Sequence, residues 1–353
     1  MPPSIPVSAK DTTTPAAPCP AAAATGSFDD APVGAATRRA QDKPMGAHAI
    51  PRAELQALME FRNGHTIAKI GLFTAIILAL GWLAWNTEGW IEVAAYVAMG
   101  YMWMGVVTFM HEATHGTLFP RAWQNWAAGI IAMIPLIITF VSFREDHLEH
   151  HRYNRSPKDP DAFTMGKRGV LDFIVFYAYV AVGAVLTLIH FTFIYPVKAF
   201  NRRQWAIHLF EIALKLACYA ALFGWMLSPG LRDDVLELWF MPILVFSFLN
   251  SMRFLVEHYE TPWNVGKLAG TRTVISNPVH SFFWNNINYH AGHHLYPRVP
   301  CYNLVKLHRL LEPQIRASGA VVDKSYVAVF AKALVRGPES EARLQARLDQ
   351  RGR

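Results

Sequence analysis

Long apolar stretches separated by short polar segments dominate the chain from residue 67 to residue 256. At about 1.5 Å of helix rise per residue, each stretch has roughly the length needed to cross a bilayer. In chain order they are Ile67–Trp85, Ile91–Met110, Trp126–Phe143, Leu171–Tyr195, Trp205–Leu227 and Leu236–Val256. The pattern predicts an all-α membrane protein.

The flanking segments have a different character. Residues 1–48 are rich in Ala, Pro, Thr and Ser, which is typical of a disordered tail. A short amphipathic helix is predicted over residues 52–62. The membrane domain is expected over 49–312. A cytoplasmic tail is expected over 313–353, and its charged end, 339–353, is predicted to be helical.

Two pairs of apolar stretches are predicted to form transmembrane hairpins. The first pair is joined by the tight turn Asn86–Trp90, and the second by a turn near Pro229 and Gly230. Glu211 and Lys215 stand four positions apart in the second hairpin, so they can pair on one helix face.

The loop charges decide between six crossings and four. Segment 144–168 carries six cations, which are Arg144, Arg152, Arg155, Lys158, Lys167 and Arg168. The positive-inside rule places such a loop in the cytoplasm. Four crossings satisfy the rule if Trp126–Phe143 and Leu171–Tyr195 enter and return, or lie buried against the bundle. Pro135 and Gly183 are the expected break points. Both termini are then cytoplasmic, in what we expect to be a bacterial inner membrane.

Composition supports a membrane protein. Apolar residues make up 52% of the chain and charged residues 17%, against about 25% charged in soluble domains. The net charge of +7 comes from cations between the apolar stretches, and no nucleic-acid motif accompanies it. Cys19, Cys218 and Cys301 lie too far apart in sequence for a CxxC metal site and form no disulfide framework, which is compatible with a reducing compartment.

Eight of the fifteen histidines fall into three tight clusters. They are H-E-A-T-H with His111 and His115, H-L-E-H-H with His147, His150 and His151, and H-A-G-H-H with His290, His293 and His294. Positions i, i+3 and i+4 share one helix face, so each cluster directs its imidazoles at one point. Imidazole binds iron, zinc, copper and nickel. Eight ligands exceed the need of one tetrahedral zinc, which predicts two metal ions.

Topology supports the same conclusion. With four crossings all three clusters lie on the cytoplasmic face, whereas with six crossings the second would lie across the bilayer from the others. The isolated histidines are expected to be ordinary loop or packing residues and not metal ligands. They are His48, His65, His190, His208 and His308.

The residues around the clusters resemble the three histidine boxes of the membrane fatty-acid desaturase and hydroxylase superfamily. The matching strings are HEATHGTLFP at 111–120, HLEHHRYNRSPKDPDAF at 147–163 and NYHAGHHLYPRVPCYNLVKLH at 288–308, within a resemblance that covers about 65–312. It implies a cytoplasmic di-iron centre with O₂ as oxidant. Electrons would come from a separate donor, a ferredoxin or a cytochrome b5-like protein, because no fused HPGG segment is present.

The resemblance also implies a ninth histidine ligand upstream of the third box. His258 matches that position, and His280 is the rival candidate. Some relatives carry an Asn one helical turn earlier that binds metal through water, but Phe254 stands there in this chain. The first box has three residues between its histidines, as in the acyl-lipid branches.

Acidic side chains near the boxes are expected to accept the free imidazole N–H groups and fix ring orientation. The candidates are Glu112, Asp146, Glu149, Glu257, Asp159 and Asp161. For Asp159 and Asp161, capping a turn is an equal alternative. Trp103, Met104 and Phe109 could line an apolar substrate slot or pack as ordinary membrane-helix residues.

The expected activity is desaturation of a lipid acyl chain. Hydroxylation or ketolation of an acyl chain or a carotenoid, and desaturation of a specialised metabolite, stay open. H-E-x-x-H also fits an intramembrane zinc metalloprotease with Glu112 as general base, but that leaves six clustered histidines unexplained. A metal transporter or sensor is disfavoured, because transporters place ionisable residues near the bilayer midplane and these histidines lie at membrane exits.

Overall fold

The described part of the chain is mostly helical. The computed structural model describes residues 50–160, 170–226 and 232–339. Within them the helices are α1 Arg52–Leu58, α2 Asn63–Trp85, α3 Trp90–His115, α4 Ala122–Met133, α5 Phe140–Tyr153, α6 Val170–Ile189, α7 Tyr195–Ala199, α8 Arg202–Met226, α9 Arg232–His258, α10 Pro278–Phe283, α11 His290–Leu295, α12 Leu304–Ser318 and α13 Tyr326–Arg336. Strands β1 Arg272–Val274 and β2 Val321–Asp323 pair in parallel.

Some predictions fall on other residues. The tail over 1–48, the turn at Pro229 and Gly230, and residues 340–353 of the predicted C-terminal helix lie outside the described residues. The expected amphipathic helix at 52–62 corresponds to the shorter α1.

Helices α2 and α3 form the first predicted hairpin. Gly89, the N-cap residue of α3, has a φ of 72°, a conformation that favours glycine. The Asn86 side chain donates to the Trp82 carbonyl oxygen at 2.7 Å. Trp82, Trp85 and Trp90 are exposed around this turn. Indole rings favour the membrane–water boundary, so this end of the hairpin has the character of an interface.

Helix α3 lies at the centre of the bundle, packed against α2, α4 and α9. Gly100 lets α3 approach α9 closely, because a Cβ atom there would lie 2.7 Å from the Pro242 carbonyl oxygen. Small residues let helix backbones approach in this way inside membranes. The core around α3 includes Phe73, Phe109 and Phe140.

Helices α4 and α5 meet at an angle of 107°. A 3₁₀ turn over Ile134–Leu136 and a positive φ of 64° at Ile137 make the break, next to the predicted break point Pro135. The break leaves backbone groups without helical partners, and lipid offers none. Side chains of α8 and α9 supply them instead.

Two charged side chains of α8 hold the broken ends. The Glu211 carboxylate accepts from the backbone N–H groups of Phe140 at 2.5 Å and Val141 at 3.0 Å, the first residues of α5. Lys215 donates to the carbonyl oxygens of Met133 and Ile138. An anion at a helix N-terminus and a cation at a C-terminus match the helix dipoles. Glu211 and Lys215 thus act on the same break rather than on each other alone.

Helix α6 is kinked at Val182, where the backbone leaves helical geometry next to the predicted break point Gly183. A Cβ atom on Gly183 would lie 2.7 Å from Ser251 Oγ, so the kink coincides with close contact to α9. A π-helical turn over His190–Ile194 then connects α6 to α7.

By length and composition, five helical segments of the described residues could cross a membrane. They are Arg52–Trp85, Trp90–His115, Val170–Ala199, Arg202–Gly224 and Leu236–His258, and the bent α4–α5 pair would be a sixth if counted as one span. The prediction of four crossings assigned the Val170–Ala199 region and the bent pair to non-crossing positions.

The C-terminal elements pack onto α9 and α6. The predicted domain boundary at residue 312 falls inside α12. Beyond it, β2 pairs with β1, and α13 packs against α9. The Tyr177 hydroxyl donates to the Leu334 carbonyl oxygen at 2.8 Å and the Tyr259 hydroxyl to that of Gly337 at 2.7 Å. These contacts bring residues 334–337 beside the histidine-bearing end of α9.

Candidate metal centre

Local sequence places each histidine cluster at the end of a helix. Helix α3 stops at His115 because Gly116 adopts the left-handed C-cap conformation, with φ of 67°. Helix α5 starts apolar at Phe140 and carries the second cluster in its last turns. The six-residue α11 carries the third, and His258 is the last residue of α9. These four helix segments converge on one place.

Five imidazoles form one compact set, which we call the five-histidine group. Its members are His111, His115, His147, His151 and His293, and their ligand nitrogens all lie within 4.8 Å of one another. The Nε2 atoms of His115 and His147 are 3.1 Å apart, and those of His151 and His293 are 3.2 Å apart. The imidazoles therefore face a common centre.

A second set, the three-histidine group, consists of His150, His258 and His294, whose nitrogens also lie within 4.8 Å of one another. His290 lies beside it, with its Nε2 atom 3.1 Å from that of His294. The two groups are adjacent, since the rings of His151 and His294 stack with centroids 4.1 Å apart. The structure thus brings together all nine histidines that the sequence predicted.

His280, the rival candidate for the ninth position, belongs to neither group. Its Nδ1 atom is 3.0 Å from the Tyr101 hydroxyl, and its ring packs beside Trp284 and Tyr326.

The donor atoms fit metal ions. Within the described ranges, both nitrogens of His111 are buried without a hydrogen-bond partner, as are the Nδ1 atoms of His151, His293 and His294. Buried polar atoms are nearly always partnered. Two nitrogens bound at about 2.1 Å to one ion, at about 90°, would be about 3.0 Å apart, close to the Nε2 separations in both groups. Two adjacent sets of neutral imidazoles suit two transition-metal ions.

Electrostatics keep the third cluster in its ligating form. Burial lowers the pKa of His290, His293 and His294 well below the ordinary value, and neighbouring histidines lower each pKa further. Metals bind the neutral imidazole, so the cluster needs little deprotonation before it can act as a ligand set.

Asp159 approaches a predicted ligand as expected. Its Oδ1 atom lies 2.9 Å from His150 Nδ1, and its Oδ2 atom accepts from the Arg155 backbone N–H at 2.7 Å. Burial alone would raise the pKa of Asp159, but the His150 imidazole and the Arg155 N–H lower it overall. A carboxylate on Nδ1 fixes the tautomer that leaves Nε2 free for a metal.

Glu257 also meets a predicted ligand. Its Oε1 atom accepts from Arg253 Nε at 2.9 Å and from the Tyr326 hydroxyl at 3.2 Å. Its Oε2 atom lies 3.3 Å from His290 Nε2.

The other acidic candidates do not contact the two groups as predicted. Glu112 accepts from the Thr117 hydroxyl and the Cys301 backbone N–H through Oε2. Asp146 contacts His190 Nε2 at 2.9 Å, and Glu149 accepts from Tyr195. Adjacent helix positions point about 100° apart, so neighbours of a ligand in sequence need not share its face. Asp161 lies outside the described residues.

Sequence reasoning missed Arg155, a buried residue behind Asp159. Its guanidinium donates to both carboxylate oxygens of Glu339, at 2.9 and 2.8 Å, and stacks on Trp263 at 4.1 Å. In the sequence, Arg155 stands among the loop cations, and nothing there indicates that it is buried. Arg253 was missed as well, although its i, i+4 spacing from Glu257 was visible in the sequence.

The apolar candidates near the first box lie in the core. Met104 and Phe109 are buried in the cluster that contains Phe73, and Trp103 packs against it. These contacts are those of ordinary helix packing.

Comparison with known proteins adds the family. A model of the family described as fatty acid desaturase matches residues 88–326, about two thirds of the chain and all three histidine clusters. The chain belongs to this family. Membership of this family implies an oxidoreductase, and together with the several apolar helices it suggests an integral membrane protein.

Individual relatives are distant. This desaturase-family chain is 25% identical over 257 residues to the sn-1 oleoyl-lipid 12-desaturase of Anabaena variabilis. The aligned region covers 66% of the chain and 72% of that protein. It is 25% identical over 312 residues to the dihydrorhizobitoxine desaturase of Bradyrhizobium elkanii, covering 81% of the chain and 82% of the relative. The chloroplastic omega-3 fatty acid desaturase of Glycine max is 22% identical over 287 residues, 70% of the chain and 58% of the relative.

Proposed function

We propose that this protein is a di-iron desaturase that uses O₂ to introduce a double bond into the acyl chain of a lipid. The observation that carries the proposal is the pair of adjacent, buried histidine groups, in each of which the ligand nitrogens lie within 4.8 Å of one another. The overall reaction converts CH₂–CH₂ to CH=CH while O₂ and two electrons, with two protons, become two waters. A ferredoxin or a cytochrome b5-like protein would supply the electrons.

Two bound iron ions would supply the O₂ chemistry that removes hydrogen from an unactivated C–H bond. The chain's own residues have three tasks around them. The five-histidine and three-histidine groups hold the ions, with His290 beside the second. Asp159 orients His150. The buried aromatic core under the histidines keeps water from the site.

A second candidate substrate is a specialised small metabolite. The dihydrorhizobitoxine desaturase aligns over a larger share of both chains than the oleoyl-lipid desaturase of Anabaena variabilis does. Hydroxylation of a chain would use the same donor set, so product analysis must look for hydroxyl groups as well as double bonds.

We also propose four membrane crossings, by α2, α3, α8 and α9, in a bacterial inner membrane, with the histidine groups and both termini on the cytoplasmic side. Both ends of α6 support this, because each contacts the histidine-bearing side. Near its start, Phe176 packs beside Tyr259, which follows His258. Just beyond its end, His190 contacts Asp146 in the second box. A helix with both ends on one side does not cross.

The test is metal analysis of the protein purified in detergent. We expect about two irons per chain in the wild type and loss of at least one in His150→Ala. His65→Ala is the matched control, since His65 is an exposed histidine outside both groups, and it should keep two. A single zinc unaffected by His150→Ala would overturn the di-iron proposal.

Product analysis tests the substrate. Cells that express the wild type should gain a double bond in membrane lipids, and cells that express His150→Ala should not. An unchanged lipid profile together with a new unsaturated polar metabolite would favour the second candidate, and a new hydroxyl group would replace desaturation with hydroxylation.

A further inference from the structure

The two oxygens of Glu257 have unequal surroundings. Oε1 accepts two hydrogen bonds, from Arg253 and Tyr326. Oε2 is buried and has no hydrogen-bond partner among the described residues, although it lies 3.3 Å from His290 Nε2. An unpartnered carboxylate oxygen in a buried site is costly, so something besides the described side chains is needed to satisfy it.

The neighbouring nitrogens show what that partner is. His290 Nε2 lies 3.1 Å from His294 Nε2 as well as 3.3 Å from Glu257 Oε2. A single imidazole proton can satisfy one of these contacts but not both. A cation among the three atoms satisfies all of them, and ligands at about 2.1 Å separated by about 90° to 105° would be about 3.0 to 3.3 Å apart.

We propose that Glu257 is an oxygen ligand of the metal ion held by the three-histidine group, with His290 as its neighbour in the coordination sphere. The inference rests on the proposed function, because it requires the metal centre. The proposal adds a carboxylate ligand to the three-histidine group. Carboxylates are common ligands of iron beside imidazoles.

The surroundings of Glu257 fix its direction. Arg253 lies one helical turn earlier on α9, and Tyr326 begins α13. The Tyr326 hydroxyl donates to Oε1 at 3.2 Å, and Arg253 Nε donates to the same oxygen at 2.9 Å. With Oε1 held on two sides, Oε2 is left facing His290 Nε2.

Cobalt titration of the metal-free protein tests the proposal, because the visible absorption of Co²⁺ reports its ligands. In Glu257→Gln we expect the weaker of two binding steps to lose about 10- to 100-fold in affinity and its absorption bands to shift at full occupancy. Glu149→Gln is the matched control, since Glu149 belongs to the second box but bonds Tyr195, and it should match the wild type. Tyr326→Phe keeps the carboxylate, so it should weaken binding without replacing the wild-type bands.

A measurement on the wild type covers the case in which Glu257→Gln does not fold. Infrared difference spectra, metal-loaded minus metal-free, should show a carboxylate band that moves on ¹³C-glutamate labelling. Unshifted Co²⁺ bands in a folded Glu257→Gln, or no glutamate band in the wild type, would overturn the proposal while two irons per chain left the proposed function standing. A wild type that binds no pair of metals would instead overturn the proposed function.

Discussion

At the residue scale, His150 depends on a buried chain of contacts that leaves its own helix. Asp159 holds the ring through Nδ1, and the Arg155 backbone holds Asp159. The Arg155 side chain in turn bonds Glu339, near the end of the described chain. Buried networks of this kind keep one side-chain geometry when every member is satisfied.

Asp159→Asn should therefore loosen His150 without removing a ligand. The amide carries no charge, and its Nδ2 cannot accept the bond that one carboxylate oxygen now accepts. We expect the affinity of the three-histidine group for metal to fall about 10- to 100-fold, measured by titration of the metal-free protein. Asp146→Asn is the control, because Asp146 contacts His190 outside both groups. Equal affinities in the two variants would contradict the role of Asp159.

The residue scale also shows where sequence reasoning stops. The i, i+3 and i+4 spacings predicted which imidazoles share a helix face. In the structure all of these imidazoles lie close together, in or beside the two histidine groups. The spacing could not show which acidic side chains contact a ligand histidine, because the hydrogen-bond partners of these acids come from other elements. Glu112 directly follows His111 yet bonds Cys301, whereas Asp159 lies nine residues from His150 and contacts it.

At the element scale, the α4–α5 break depends on α8. Pro135 predicted a break, but not what satisfies the freed backbone groups. Those partners lie more than seventy residues away, at Glu211 and Lys215, and the Tyr219 hydroxyl and Trp239 indole bond the carbonyl oxygens of Ile134 and Pro135. The i, i+4 spacing of the two charges indicated a shared face; only the folded chain shows that the face serves the break.

Lys215→Met should destabilise the protein strongly. It removes the donor to two carbonyl oxygens and leaves the buried Glu211 without its neighbouring cation, so we expect a loss of about 2 to 5 kcal/mol in the free energy of unfolding. Denaturant unfolding in mixed micelles measures it. Arg202→Met removes an exposed cation from the same helix and should change stability by less than about 0.5 kcal/mol. A Lys215→Met protein as stable as this control would show that the break does not need the lysine.

At the scale of the whole molecule, the topology depends on whether the number of membrane crossings between α3 and α8 is even or odd. Helices α3 and α9 both end at the histidines, so they point to the same side of the membrane. Between them the chain must return to that side before α8 begins. Hydropathy cannot decide this, since Val170–Ala199 is long and apolar enough to cross. The loop charges give an independent indication, because the positive-inside rule depends on the cations between the apolar segments and not on the segments themselves.

Labelling of single exposed cysteines by a membrane-impermeant maleimide shows whether α6 crosses the membrane. We expect Arg152→Cys and Arg203→Cys, before and after α6, to react on the same side, and Glu88→Cys in the α2–α3 turn to react on the opposite side. All three native positions are exposed in the structure, so differences in labelling report the side of the membrane rather than burial. Metal content should stay at the wild-type value in each variant. If Arg152→Cys and Arg203→Cys labelled from opposite sides, α6 would be a crossing helix. The four-crossing topology would then fail, and the proposed metal centre with it, because the second cluster, next to Arg152, would lie across the bilayer from the other two.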